Sequence, residues 1–168
     1  ASGSDNWPVT WADDDHLYTA YGDGWGFRNP NPDSKLSLGF VRIEDGPYDF
    51  EGFNIPSNGE QLGQGRRGKK ASGILMVDGV LYVWVRNANN NGQGCQLATS
   101  SDYAETWVWS EWTFPEFGYC TFVNFGKNYD GAIDDYVYMV TPDGSSAYEY
   151  ADGFVLTRVP KAEILDRS

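Results

Sequence analysis

The chain has 168 residues, 24 acidic against 12 basic, and a net charge of −12, with length enough for one domain and its core. That balance repels phosphate backbones and excludes a general nucleic-acid binder, and no stretch approaches the about 18 apolar residues a membrane helix requires. With 40% apolar and 16% aromatic residues, disorder is excluded as well.

Twenty Gly, eight Pro, seven Trp, eleven Tyr and nine Phe against two Met make a β-rich inventory and predict an all-β fold. The opening Ala1–Asn6 has no basic stretch followed by an apolar one, so no signal peptide is read there. Along the chain, a strand over Trp7–Ala12 is followed by the turn Asp13-Asp14-Asp15, a strand from Leu17, and another over Leu36–Ile43. The cycle recurs with Ser72–Val77, the turn Asp78-Gly79, a strand from Leu81 and Gln96–Asp102. It recurs again with Thr121–Phe125, the longer turn Gly126–Asp135, a strand from Val137 and Val155–Lys161. Asp-Gly between two apolar runs is a strong hairpin signal. The one helix candidate, Pro160–Arg167, is short.

These cycles are an internal repeat. Leu17-Tyr18-Thr19-Ala20-Tyr21-Gly22-Asp23 lines up with Leu81-Tyr82-Val83-Trp84-Val85-Arg86-Asn87 and with Val137-Tyr138-Met139-Val140-Thr141-Pro142-Asp143, at offsets of 64 and 56 residues. A unit of about 60 residues with three or four antiparallel strands is a propeller blade in size. A sandwich of hairpins shares the short strands but not the period, so the propeller is preferred. The blades are placed at approximately 5–65, 66–117 and 118–168 of one partial propeller spanning 1–168. Closed propellers need about four to eight blades, so the ring is expected to be completed by missing sequence, another chain or a second copy.

Strand direction sorts the polar residues. Asp5, Asn6, Asp23, Trp25, Arg66–Lys70, Arg86, Asn87, Gly118–Cys120 and Asp143 are predicted at one end of the axis, and Asp13–Asp15 at the other. The Asp13–Asp15 run reads as a solvated turn, since adjacent turn residues do not converge on one ion. No metal site or cofactor is predicted. His16, the only histidine, sits beside that turn and does not make a Ser-His-Asp arrangement.

Asp5 and Asp23 are the candidate catalytic pair, because two carboxylates flanking a glycosidic bond suffice for its hydrolysis. Trp7, Trp11, Trp25 and Phe27 flank them as flat apolar platforms for sugar rings, although core packing accounts for tryptophans equally well. Arg66-Arg67-Gly68-Lys69-Lys70 holds four of the twelve basic residues. It suits a carboxylate, sulfate or polyhydroxylated substrate, or local salt bridges to the surrounding acids. Ser100-Ser101-Asp102-Tyr103-Ala104-Glu105-Thr106-Trp107 resembles the Asp-box S-x-D-x-G-x-T-W of sialidase-like propellers, with Ala104 in place of Gly; there it is a structural turn. Cys95 and Cys120 leave two readings open, one disulfide or two buried thiols.

Asp5-Asn6-Trp7-Pro8-Val9-Thr10-Trp11, Tyr21-Gly22-Asp23-Gly24-Trp25-Gly26-Phe27, Gly65–Gly73 and Asn124-Phe125-Gly126-Lys127-Asn128-Tyr129 together resemble a family of bacterial secreted five-bladed β-propellers long catalogued as a domain of unknown function. Some of its members are retaining endo-D-arabinanases. The resemblance implies about three of five blades, an extracellular or periplasmic location, and a glycoside hydrolase acting on a polysaccharide or oligosaccharide. By position it makes Asp5 and Asp23 the carboxylate pair and Arg67, Lys70 and Asn87 substrate contacts; the flanking Trp7 and Trp25 and the basic Arg66 are further candidate contacts read from the residues themselves. A non-catalytic glycan-binding propeller and a structural assembly protein are the alternatives.

Overall fold

The computed structural model describes residues 3–31, 33 and 35–167, which form three separate antiparallel sheets rather than two facing ones. The first contains β1 (Val9–Trp11), β2 (Leu17–Tyr21), β3 (Leu36–Glu44) and β4 (Glu51–Ile55) in that order, with β5 (Gln61–Leu62) paired to β3. The second runs β6 (Lys70–Val77), β7 (Val80–Arg86), β8 (Cys95–Ser100), β9 (Val108–Phe114). The third is β10 (Thr121–Phe122), β11 (Tyr136–Pro142), β12 (Phe154–Pro160). The three aligned repeat segments are thus β2, β7 and β11, the second strand of each sheet. Asp78 and Gly79 make the two-residue hairpin between β6 and β7 with φ of 49° and 79°, the primed-turn backbone that Asp-Gly supplies.

The first strands lie side by side. β6 packs against β1 and against β10, and the Met76 N–H donates to Thr10 Oγ1 at 2.9 Å. Gly73 sits at a register irregularity of β6, where a Cβ would come within 3.0 Å of the Phe122 backbone nitrogen and the Thr121 Cα. A side chain there would force the second and third sheets apart.

The middle sheet is covered on both faces, so all of β6 is buried. Its alternation sorts residues between two cores. Ala71, Ile74 and Met76, with Leu81, Val83 and Val85 of β7, pack against Tyr18, Ala20, Leu38 and Phe40 of the first sheet. Leu75 and Val77, with Trp84 and Leu97, pack against Tyr129, Val137 and Met139 toward the third. The outer sheets are covered less completely: on the outer side of the first, Tyr21 and Val41 are buried beneath Trp7, Phe27 and Ile43. In the first, Trp7, Val9, Leu17, Thr19, Phe27 and Ile43 line an open apolar hollow. In the third, Phe154 and Leu156 are 79% and 64% exposed.

Two expectations need correction. Pro160 ends β12, and the predicted helix Pro160–Arg167 reduces to one 3₁₀ turn, Lys161–Glu163; so short a segment does not offset helix nucleation. The strand predicted over Thr121–Phe125 holds only Thr121–Phe122. Asn124 instead caps the following turn, accepting from the Gly126 N–H at 2.9 Å.

The Asp-box turn joins β8 to β9. The Asp102 carboxylate accepts from the Thr106 hydroxyl and from the Thr106 N–H at 2.8 Å, and the Ser100 hydroxyl donates to it at 2.8 Å. Tyr103 and Ala104 both adopt positive φ, at 56° and 72°, so Ala104 holds the left-handed conformation that the usual glycine takes freely. The Thr106 side chain foremost, then the backbone and Ser100, hold the Asp102 carboxyl below its usual range. A depressed folded-state value contributes stability above the unfolded carboxylate value of about 3.9, lost as pH falls through the folded one. Asp102→Asn is therefore expected to lower the thermal midpoint at pH 6 and to flatten its decline below about pH 4. Melting curves from pH 6 down to about pH 2 check it, and parallel declines in both proteins would refute it.

Candidate functional site

Several chain ends meet where β2 leaves and β6 begins. Asp5 is bridged to Gly22 by reciprocal backbone hydrogen bonds of 2.9 Å, which sets it beside Asp23. Asp23 is ion-paired with Lys70, the first residue of β6. The Lys70 side chain is 3% exposed and that of Asp23 23%; apart from each other, Lys70 Nζ and Asp23 Oδ1 have no hydrogen-bonding partner among the described residues. Asn6 donates to the Ala71 carbonyl and accepts from the Tyr119 hydroxyl at 3.0 Å. These contacts tie the segment before β1 to both neighbouring sheets.

Asn6, Asp23 and Asn87 all have positive φ, at 57°, 49° and 59°. Short polar side chains tolerate this backbone best among non-glycine residues. The repeat's terminal Asp or Asn is thus a conformational requirement at β2 and β7 as well as a functional group.

Asn87 is fully buried. Its amide nitrogen, with two N–H donors, lies 3.1 and 2.8 Å from the carbonyls of Gly65 and Gly68 and 3.0 Å from the Tyr148 hydroxyl. It therefore holds the 65–68 turn in place and is a positioning residue, not the direct substrate contact expected from its place in the repeat. Arg86, just before it, lies between two rings, 5.1 Å from the Tyr119 centroid and 5.5 Å from that of Tyr148. Its Nε is buried without a partner. Arg66 covers the other approach to Tyr148 at 5.0 Å.

The basic run divides. Lys70 turns to Asp23, while the Lys69 ammonium donates to Gln96 Oε1 at 2.7 Å and lies 4.9 Å from the Trp109 ring; burial pushes its pKa down. Arg66 and Arg67 are exposed. Among the described residues, Arg66, Arg67 and Arg86 form no salt bridge, although acids outnumber bases two to one. Local charge pairing therefore accounts for Lys70 but not for these arginines.

The tryptophans divide too. Trp25 stays near the site: its backbone N–H donates to Ser4 Oγ at 3.0 Å and its indole to the Asn31 carbonyl at 2.5 Å. Trp7 does not face the pair. Its ring lies 5.4 Å from Tyr21 and 5.9 Å from Phe27, in the hollow on the outer side of the first sheet, because the residue falls on that face of the chain entering β1. Another apolar cleft, of about 300 Å³, opens between the second and third sheets, lined by Trp84, Trp112, Phe114, Phe122 and Met139 among others, and includes none of the predicted site residues.

At the opposite end, the three aspartates take separate partners. Asp14 accepts from the Tyr18 hydroxyl at 2.8 Å, Asp13 from Tyr103 at 3.2 Å, and Asp15 pairs with Lys127 at 2.6 Å. Among the described residues, no group of three His, Cys, Asp or Glu side chains is arranged to hold a metal ion.

Sequence reasoning did not find Tyr148. It lies in the loop between β11 and β12, which has no counterpart in the aligned segments. The free positions of the arginines were also invisible, since pairing depends on which acids come within reach.

No protein-family model and no curated protein matches the chain. Among solved structures, the phage phi92 endosialidase is similar, with a TM-score of 0.51 and 17% sequence identity over 96% of this chain. The chain spans 24% of that structure's length. A likeness at this identity is one of fold, and it accords with the all-β, multi-sheet architecture.

Proposed function

We propose that the chain is three blades of a β-propeller that cleaves a glycosidic bond in a polysaccharide, with Asp5 and Asp23 as its carboxylate pair. The observation carrying this reading is the Asp5–Gly22 bridge, which sets Asp5 next to the chain at Asp23, where the first sheet meets the start of β6 through the Asp23–Lys70 pair. Asp23, fixed against a buried ammonium, suits the positioned carboxylate. Asp5, exposed to solvent, suits the group that exchanges a proton with the leaving oxygen. Arg86 and the 65–67 turn form a donor-rich rim for sugar hydroxyls or acidic groups. The fold likeness to an endosialidase, a glycan-acting enzyme by name, supports the substrate class.

The incompletely covered apolar faces of the first and third sheets fit a five-bladed ring whose remaining blades come from further polypeptide or a second copy. The resemblance to secreted propellers supports an extracellular or periplasmic site of action.

The test is reducing-end release from a panel of arabinans and acidic polysaccharides. Asp5→Asn is expected to lower the rate at least about 100-fold while leaving the melting temperature unchanged, because the Asp5 contacts are backbone ones. Equal rates in the two proteins would remove the catalytic reading. The neutralisation of Asp23 by Lys70 favours a second reading, non-catalytic glycan binding. Retention on immobilised polysaccharide without release by the unsubstituted protein would establish it.

A further inference from the structure

We propose that Cys95 and Cys120 are a cross-linking site that joins the second and third sheets through a disulfide. Cys95 opens β8 in the second sheet, and Cys120 immediately precedes β10 in the third. Both are fully buried in the core shared by these sheets. The Cys120 N–H donates to Cys95 Sγ at 3.1 Å, which places one sulfur against the backbone of the other cysteine. The neighbouring Cys95 first and burial second push the Cys120 thiol up. The backbone on the Cys120 side is held independently, since the Ser72 hydroxyl of β6 reaches the Cys120 carbonyl. Both thiols are free in this structure, with the sulfur of Cys95 already against the Cys120 main chain.

The cross-link forms by exchange with a small-molecule disulfide such as oxidised glutathione. As the chain folds, one cysteine thiolate attacks the reagent, forming a mixed disulfide and releasing one glutathione thiolate. The second cysteine then attacks the protein sulfur and releases the other. Two protein thiols lose two protons and two electrons, and one oxidised glutathione becomes two reduced molecules.

The bond would close a loop of about 25 residues that includes the whole of β9. Closing such a loop restricts the unfolded chain, and for a protein of this size the expected gain in melting temperature is about 10 °C.

The test refolds the full chain from urea in a glutathione redox buffer. Intact mass is expected to fall by about 2 Da, the two hydrogens lost in the exchange, peptide mapping to recover a Cys95–Cys120 linked pair, and added dithiothreitol to lower the melting temperature. Cys95→Ala and Cys120→Ala should each abolish both the mass loss and the response to dithiothreitol. Comparison with the reduced unsubstituted protein separates the cross-link from the packing cost of alanine. Alkylation of both thiols after refolding, or persistence of a glutathione adduct on either cysteine, would overturn the proposal.

Discussion

Asp23→Asn is expected to lower stability by about 3 kcal/mol, apart from any effect on catalysis. Asparagine keeps the left-handed backbone that position 23 requires, so the change removes charge alone. It leaves the Lys70 ammonium, with a side chain 3% exposed, without its one ionic partner. Stranding a buried charge typically costs about 3–5 kcal/mol, and the partial exposure of Asp23 puts the value at the low end. For a chain of this length that is a fall of roughly 6–12 °C in melting temperature.

Lys70→Met alone should cost less, because the remaining Asp23 carboxylate still reaches water. Asp23→Asn combined with Lys70→Met should recover most of the loss, since methionine occupies the same buried position without charge. Urea unfolding of the four proteins gives the coupling, expected at about 2 kcal/mol. Additive effects would mean that the pair contributes no specific interaction. The consequence for function is direct: lost activity in Asp23→Asn must be separated from lost folded protein, whereas Asp5→Asn reports on chemistry.

The second large effect is expected at Trp107. Trp107→Ala should cost about 3–5 kcal/mol. The side chain is 4% exposed and stacks on Phe40 of the first sheet, with centroids 4.8 Å apart and planes at 25°. Its backbone N–H donates to Asn58 Oδ1 at 2.7 Å. Gly59 lies so close that a Cβ there would approach Trp107 Cδ1 to 2.4 Å. The residue thus carries the Asp-box turn of the second sheet onto the first, and truncation opens a cavity between them. Trp107→Phe should cost about 1.5 kcal/mol or less, because it retains the stack and removes a buried indole N–H that has no partner. Denaturant midpoints decide the matter. A cost below about 1 kcal/mol for alanine would show that the turn docks without its tryptophan.

These predictions draw unequally on sequence. The repeat of Leu17, Leu81 and Val137 was legible because strand alternation and Gly- or Asp-containing turns are local, and the aligned segments became the second strands of three sheets. The meeting of the segments before β1, after β2 and at the start of β6 was legible for the same reason, since strand direction determines which ends coincide. Trp7 was not legible: an aromatic residue next to a strand suits a sugar platform or a core equally, and only the position of Tyr21 and Phe27 decides. The burial of Asn87 was not legible either, because its amide meets carbonyls of a turn distant in sequence.

Length and charge set the outer limits. A 168-residue acidic chain rich in aromatics and glycine determined by itself an all-β protein whose strands recur in three sheets, since composition and period act through local backbone preference. Only the tertiary structure decided that Lys70 neutralises Asp23, that Arg66, Arg67 and Arg86 form no salt bridge among the described residues, and that Cys95 lies against Cys120. Each of these depends on a distance of a few ångströms between residues far apart in the chain, and burial determines how strongly such a distance counts.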